Sequence, residues 1–110
     1  MKCNPRIALT ERQLAMTEQQ LAIVSAILAE SRPHIGQVKV FGSRAGGRAR
    51  PASDLDLVVF PPAPESAIGD LRMAFEESDL PIYVDVLAWE RIASSGLRAE
   101  IERTAIPWQG

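Results

Sequence analysis

The chain has little of what small proteins most often use as staples, anchors or addresses. Its single cysteine, Cys3, excludes an internal disulfide, and a reducing cytoplasm is the expected home. Its single histidine, His34, has no second His or Cys at metal-ligand spacing, so a zinc site of the thiolate or imidazole kind is not expected. His34 follows Pro33 and reads as a loop or capping residue. No stretch approaches the roughly 20 apolar residues of a membrane span. The N-terminus does not read as a secretory signal, because Lys2 is followed by Asn4, Pro5 and Arg6 instead of an apolar core. Excess charge of one sign is also small, and so is the aromatic content: the formal net charge is -2 and aromatics make up 5% of the residues. That balance offers no basic, aromatic-rich face, so a nucleic-acid partner is not expected.

What remains is an ordinary globular composition, 46% hydrophobic and 24% charged over 110 residues, enough for one domain with a modest core. A single domain over 1–110 is expected, with a possible N-terminal arm at 1–16 and a core at about 17–105. Thr17 to Ser31 reads as the first helix. Thr17 and Gln20 fit a capping box, Glu18 suits the positive end of the dipole, and Leu21, Val24, Ile27 and Leu28 recur on one face. Pro33 ends it. Ile7 to Met16 is undecided between a short helix and a pairing arm.

Gln37 to Phe41 and Asp54 to Phe60 read as strands, the second closed by Pro61, Pro62 and Pro64. Glu65 (or Ala63) to Ser78 reads as a helix carrying Ile68, Leu71, Met73 and Phe75, weakened by Gly69. Pro81 opens a third strand, Ile82 to Leu87, in which Tyr83 is expected to pack. A last helix from Ser94 or Ser95 to Ala105 turns Leu97 and Ile101 inward. Trp89 is expected in the core, and Trp108 could serve either core or interface. The order helix, strand, strand, helix, strand, helix predicts an α/β domain, a small mixed sheet covered by helices.

The loop from Gly42 to Ser53 holds three glycines, a proline and three arginines and reads as functional. After it, strand alternation puts Asp54 and Asp56 on one face, with Cα atoms about 6 to 7 Å apart. Two carboxylates so close repel unless a cation lies between them, and oxygen-seeking Mg²⁺ with phosphate oxygens suits that task. Asp85, an acid in an otherwise apolar strand, would be costly if buried and unpaired. It offers a third carboxylate, enough for two Mg²⁺ ions. Gly42 allows close backbone approach to phosphates, and a helical turn after Ser43 would point N–H groups at an anion. The chemistry this suggests is in-line displacement at an α-phosphorus, with Asp85 as general base. A Walker-type phosphate loop is excluded, since Arg48-Ala49 stands where Lys-Ser/Thr is required.

Phe41-Gly42-Ser43-Arg44-Ala45, ten residues between Ser43 and Asp54, and then Ser53-Asp54-Leu55-Asp56-Leu57 together resemble the signature of the polymerase-β-type nucleotidyltransferases. The spacing is similar to their minimal branch, the MNT or MntA-like antitoxins. The resemblance implies a mixed sheet with helices on one face and the active site on the other. It implies Asp54, Asp56 and Asp85 as metal-binding and catalytic acids, and Gly42, Ser43, Arg44 and Ser53 as nucleotide-binding residues. For Arg44, either phosphate contact or a structural ion pair is open. Arg48 and Arg50 are loop charges, either merely solvated or guiding ATP. The resemblance further implies ATP as substrate, a HEPN-domain toxin as protein partner, and AMP transfer to a tyrosine of that toxin, with homo- or hetero-oligomers open. A non-catalytic antitoxin that neutralises its partner by complex formation is the alternative. Nucleotide transfer to RNA is disfavoured by composition.

Overall fold

The computed structural model describes residues 14–47, 50 and 53–108; Cys3, Arg48 and the stretch 7–13 lie outside the described residues. Helix α1, Glu18–Ser31, starts where the capping box predicts. Thr17 Oγ1 accepts from the Gln20 N–H at 3.1 Å, and Gln20 Oε1 accepts from the Thr17 N–H at 3.0 Å. Such a reciprocal cap satisfies two N–H groups that the first helical turn leaves without partners. The helix gives way at Arg32–His34 to a short 3₁₀ turn that contains Pro33. The remaining elements are β1 (Val38–Phe41), β2 (Leu55–Val59), α2 (Glu65–Glu77), β3 (Val84–Ala88), a 3₁₀ turn at Trp89–Arg91, α3 (Ser95–Thr104) and β4 (Ile106–Pro107). Ser94 caps α3 by accepting from the Leu97 N–H at 3.1 Å.

The strands form one mixed sheet in the order β3-β2-β1-β4. β1 runs antiparallel to β2 and to β4, and β2 runs parallel to β3. Alternation then sorts the side chains. Val38, Val40, Leu55, Leu57, Val59, Val84, Val86 and Ala88 all belong to the main core. Against them pack Val24 and Leu28 of α1 and Ile68, Leu71 and Phe75 of α2. The alternate positions, among them Phe41, Val58 and Leu87, meet α3 through Ile101 and Leu97 in a second cluster. Two helices thus cover one face, as expected. The third lies on the opposite face and shields part of it, leaving the rest for the acids.

Four expectations are corrected. Met73 is 58% exposed, because it falls between the i, i+3, i+7 positions of Ile68, Leu71 and Phe75 and so off the apolar stripe. Ile82 and Tyr83 precede the third strand, whose ladder begins at Val84 opposite Leu55. Tyr83 is 66% exposed instead of packed. The fourth strand, β4, lacked enough alternation to be read from the sequence.

Candidate active site

Gly42 follows β1 directly and has φ +79°, a conformation that L side chains rarely adopt. The Gly46 N–H donates to the Gly42 carbonyl at 3.1 Å, closing a single helical turn immediately after Ser43. A second reason for glycine is local: a Cβ built on Gly42 would collide with Oδ2 of Asp56. The Gly42-Ser43 turn and the Asp56 carboxylate are therefore in direct proximity, although a long loop separates Gly42 from the start of β2 at Leu55.

The acids come together through strand register. Asp56 is the cross-strand partner of Phe41 on one side and of Asp85 on the other. Paired positions project to the same face, and neighbouring strands lie about 4.8 Å apart. Asp54 stands just before β2, two residues ahead of Asp56, and is exposed, whereas Asp56 and Asp85 are half-buried. Asp56 has the central strand position, and its environment penalises charge. Burial raises its carboxyl pKa above the ordinary value, the Asp85 and Asp54 charges raise it further, and Arg44 opposes them weakly. Three acids held in mutual repulsion on one face suit a cation-binding site. Among the described residues, no three His, Cys, Asp or Glu side chains form a ready-made metal cluster. The fold brings the acids into electrostatic contact without closing a coordination shell around a point.

Arg44 is 1% exposed, and its guanidinium is turned into the protein. Nη1 donates to the Leu14 carbonyl at 2.6 Å and to the Ala15 carbonyl at 3.0 Å. Nε donates to the Ser53 carbonyl at 3.2 Å, and Nη2 donates to the Ser53 and Arg50 carbonyls. Burial lowers its pKa, while the nearby Asp54 and Asp56 charges pull it back up; an arginine stays charged in either case. Of the two roles open to Arg44, this placement supports a structural tie over contact with a phosphate. Ser53 has its hydroxyl engaged as acceptor from the Arg50 N–H at 3.0 Å. Its carbonyl takes the Arg44 bonds. The site face thus holds Gly42, Ser43, Asp54, Asp56 and Asp85, with Arg44 and Ser53 bracing the loop behind it.

Sequence reasoning missed the surroundings of the site. Trp89 stacks on Phe60 with ring centroids 5.0 Å apart, and the Arg98 guanidinium lies 4.3 Å over the Trp89 ring. Lys39 Nζ lies 5.3 Å from the Phe60 ring centre. This ladder of rings and cations edges the second cluster, beyond the C-terminal ends of β2 and β3. Trp108 is a core-edge residue: its Nε1 donates to Ser25 Oγ at 3.0 Å and its ring packs on the main core. The contact spans two distant chain segments, which no local pattern could reveal. His34 sits in the 3₁₀ turn, exposed, as expected of a loop residue. No helix among the described residues is long and apolar enough to cross a membrane.

Comparison with known proteins gives this geometry a family context. The family model described as Polymerase beta, Nucleotidyltransferase matches residues 24–107, a span that contains Gly42, Ser43 and all three acids. A Haemophilus influenzae protein named Probable protein adenylyltransferase MntA is 43% identical over 79 residues, covering 70% of this chain and 68% of that protein. A solved structure assigned as a minimal nucleotidyltransferase superposes with a TM-score of 0.63 at 35% identity, over 82% of this chain and 93% of its own. A complex of a tri-AMPylated Shewanella oneidensis HEPN toxin with its MNT antitoxin contains a similar fold, with a TM-score of 0.60 at 20% identity, over 86% of this chain and 73% of that one.

Proposed function

The chain belongs to the polymerase beta nucleotidyltransferase family, and from that premise we propose that it is the antitoxin of a HEPN toxin pair, transferring AMP from ATP to a tyrosine of the toxin with Mg²⁺. The observation that carries the proposal is the placement of Asp56, flanked by Asp85 on β3 and by the Gly42 turn on β1. That arrangement sets an acidic, half-buried face beside a tight backbone turn. The names of relatives support a protein acceptor. One is named a protein adenylyltransferase, and the other is the partner of an AMPylated HEPN protein.

The donor set fits Mg²⁺: three hard carboxylate donors, with Asp56 raised in pKa by burial and then by its acidic neighbours, gain most from a cation placed among them. Bound there, Mg²⁺ would neutralise charge on the triphosphate and favour departure of pyrophosphate. Asp54, Asp56 and Asp85 would hold it. Gly42 keeps the turn close to Asp56, and Ser43, at the start of the helical turn, has the backbone and hydroxyl groups suited to a phosphate oxygen. Asp85 would accept the proton of the incoming phenol. The chemistry forms one bond from the tyrosine oxygen to the α-phosphorus and breaks the bond to the pyrophosphate oxygen.

Incubation with ATP, Mg²⁺ and the proposed HEPN partner tests this reading. Intact-mass analysis should show the toxin gaining whole adenylyl groups, located on tyrosine by fragmentation. An unmodified toxin across Mg²⁺ and Mn²⁺ would sink the AMP-transfer proposal. If the Asp54→Asn/Asp56→Asn protein still bound the toxin and protected cells as well as the parent, neutralisation by complex formation would replace it.

A further inference from the structure

Arg44 makes no use of the surface, yet it joins three parts of the chain that bear on the site. It stands two residues after Gly42, inside the turn that the Gly46 N–H closes on the Gly42 carbonyl. Its guanidinium reaches the carbonyl of Ser53, the residue directly before Asp54, and the carbonyls of Leu14 and Ala15 on the N-terminal segment. The loop between Arg44 and Ser53 is thereby closed at its base, so the position of Asp54 relative to Gly42 is set through one planar fork of donors. The N-terminal end of this tie is under strain: Ala15 has φ +57°, a left-handed conformation disfavoured for a non-glycine residue. Leu14 beside it is buried in the main core at 1% exposure. A strained residue persists where its surroundings over-determine it. Here the buried Leu14 side chain and the Arg44 bonds to both carbonyls do so.

We propose that Arg44 is the positioning residue of the acid site, and that the Leu14-Ala15 carbonyls are its counter-anchor, so that divalent-cation binding at Asp54 and Asp56 depends on the N-terminal segment being docked. The inference rests on the metal-binding reading above. Two effects of Arg44 oppose each other, which makes the proposal decidable. As a positive charge near Asp54 and Asp56, Arg44 competes with a cation, so its loss by charge alone tightens metal binding. As the brace of the loop, its loss weakens binding, by the roughly 10- to 100-fold typical when a partner behind a metal ligand is removed.

The experiment measures Mn²⁺ binding by the full chain, using the free Mn²⁺ signal in electron paramagnetic resonance, with thermal unfolding recorded for each protein. Arg44→Met and Arg44→Lys should both weaken Mn²⁺ binding by about 10-fold or more, since an ammonium cannot reproduce the fork. Ala15→Pro, whose ring fixes φ near −65°, should weaken it likewise, whereas Ala15→Gly should leave it unchanged. Tighter or unchanged binding in Arg44→Met would overturn the positioning role. If Arg44→Met does not fold, Arg44→Lys decides the same point, because parental affinity there leaves only charge. Parental affinity in folded Ala15→Pro would overturn the counter-anchor. Absence of Mn²⁺ binding in the parent protein would count against the proposed function itself.

Discussion

Gly42 makes the sharpest prediction because the structure separates its two duties. In Gly42→Ala the backbone must hold φ +79° with a side chain present, at a cost of about 1–2 kcal/mol. For a domain near 100 residues, each kcal/mol lowers Tm by roughly 4–8 °C. The added Cβ also meets Oδ2 of Asp56. That oxygen ends a short flexible side chain, so the collision is relieved by the carboxylate swinging aside, by about 1 Å, with little further cost to the fold. A displacement of that size in a reacting group costs on the order of 100-fold in rate. Gly47 is the matched control: it has φ +75°, and among the described residues nothing lies within 4 Å of a Cβ built on it. Gly47→Ala should therefore lose similar stability and keep AMP transfer near the parental rate. Differential scanning calorimetry and initial rates of adenylylation measure both quantities on the same preparations. Equal losses of activity in the two variants would refute the reasoning, reducing Gly42 to a backbone requirement.

Three further outcomes follow from particular contacts. The raised Asp56 pKa means that folding favours its neutral form; its contribution to stability is full below the ordinary carboxylate value of 3.8 and is lost as pH rises through the folded value. The Tm of metal-free Asp56→Asn should accordingly gain on that of the parent between mildly acidic and neutral pH, and a difference independent of pH would contradict the assignment. Excess Mg²⁺ should raise the parental Tm at neutral pH, by the amount that its ratio to Kd dictates, and should do much less for Asp54→Asn/Asp56→Asn. Thr17→Ala removes one half of the capping box and should cost about 1 kcal/mol in chemical denaturation without altering the rate; a loss of activity at equal fold would show that α1 bears on the site.

What the sequence carried best was local. Thr17 and Gln20 at capping spacing, the alternation of Leu55, Leu57 and Val59 against Asp56, and the Gly42-Ser43 turn each depend on near neighbours, and all are present in the structure. Tyr83 and Met73 were misjudged because a strand boundary and a helical phase shift by one or two residues change the face a side chain occupies. Arg44 was ambiguous for a different reason. Its partners are main-chain carbonyls of Leu14, Ala15 and Ser53, and any residue presents a carbonyl, so no side-chain pattern marks them. The same holds for α3, whose apolar positions were legible although the face of the sheet it covers was set by the tertiary path to β4.

The central claim is that this acid face transfers the nucleotidyl group. The most direct measurement supplies the protein and the proposed HEPN partner with ATP labelled either at the α-phosphorus or at the γ-phosphorus. The account predicts that the α label passes to the toxin, that the γ label leaves in pyrophosphate, and that Asp54→Asn/Asp56→Asn transfers neither. Transfer of the γ label, or undiminished α labelling by the double Asn protein, would contradict it.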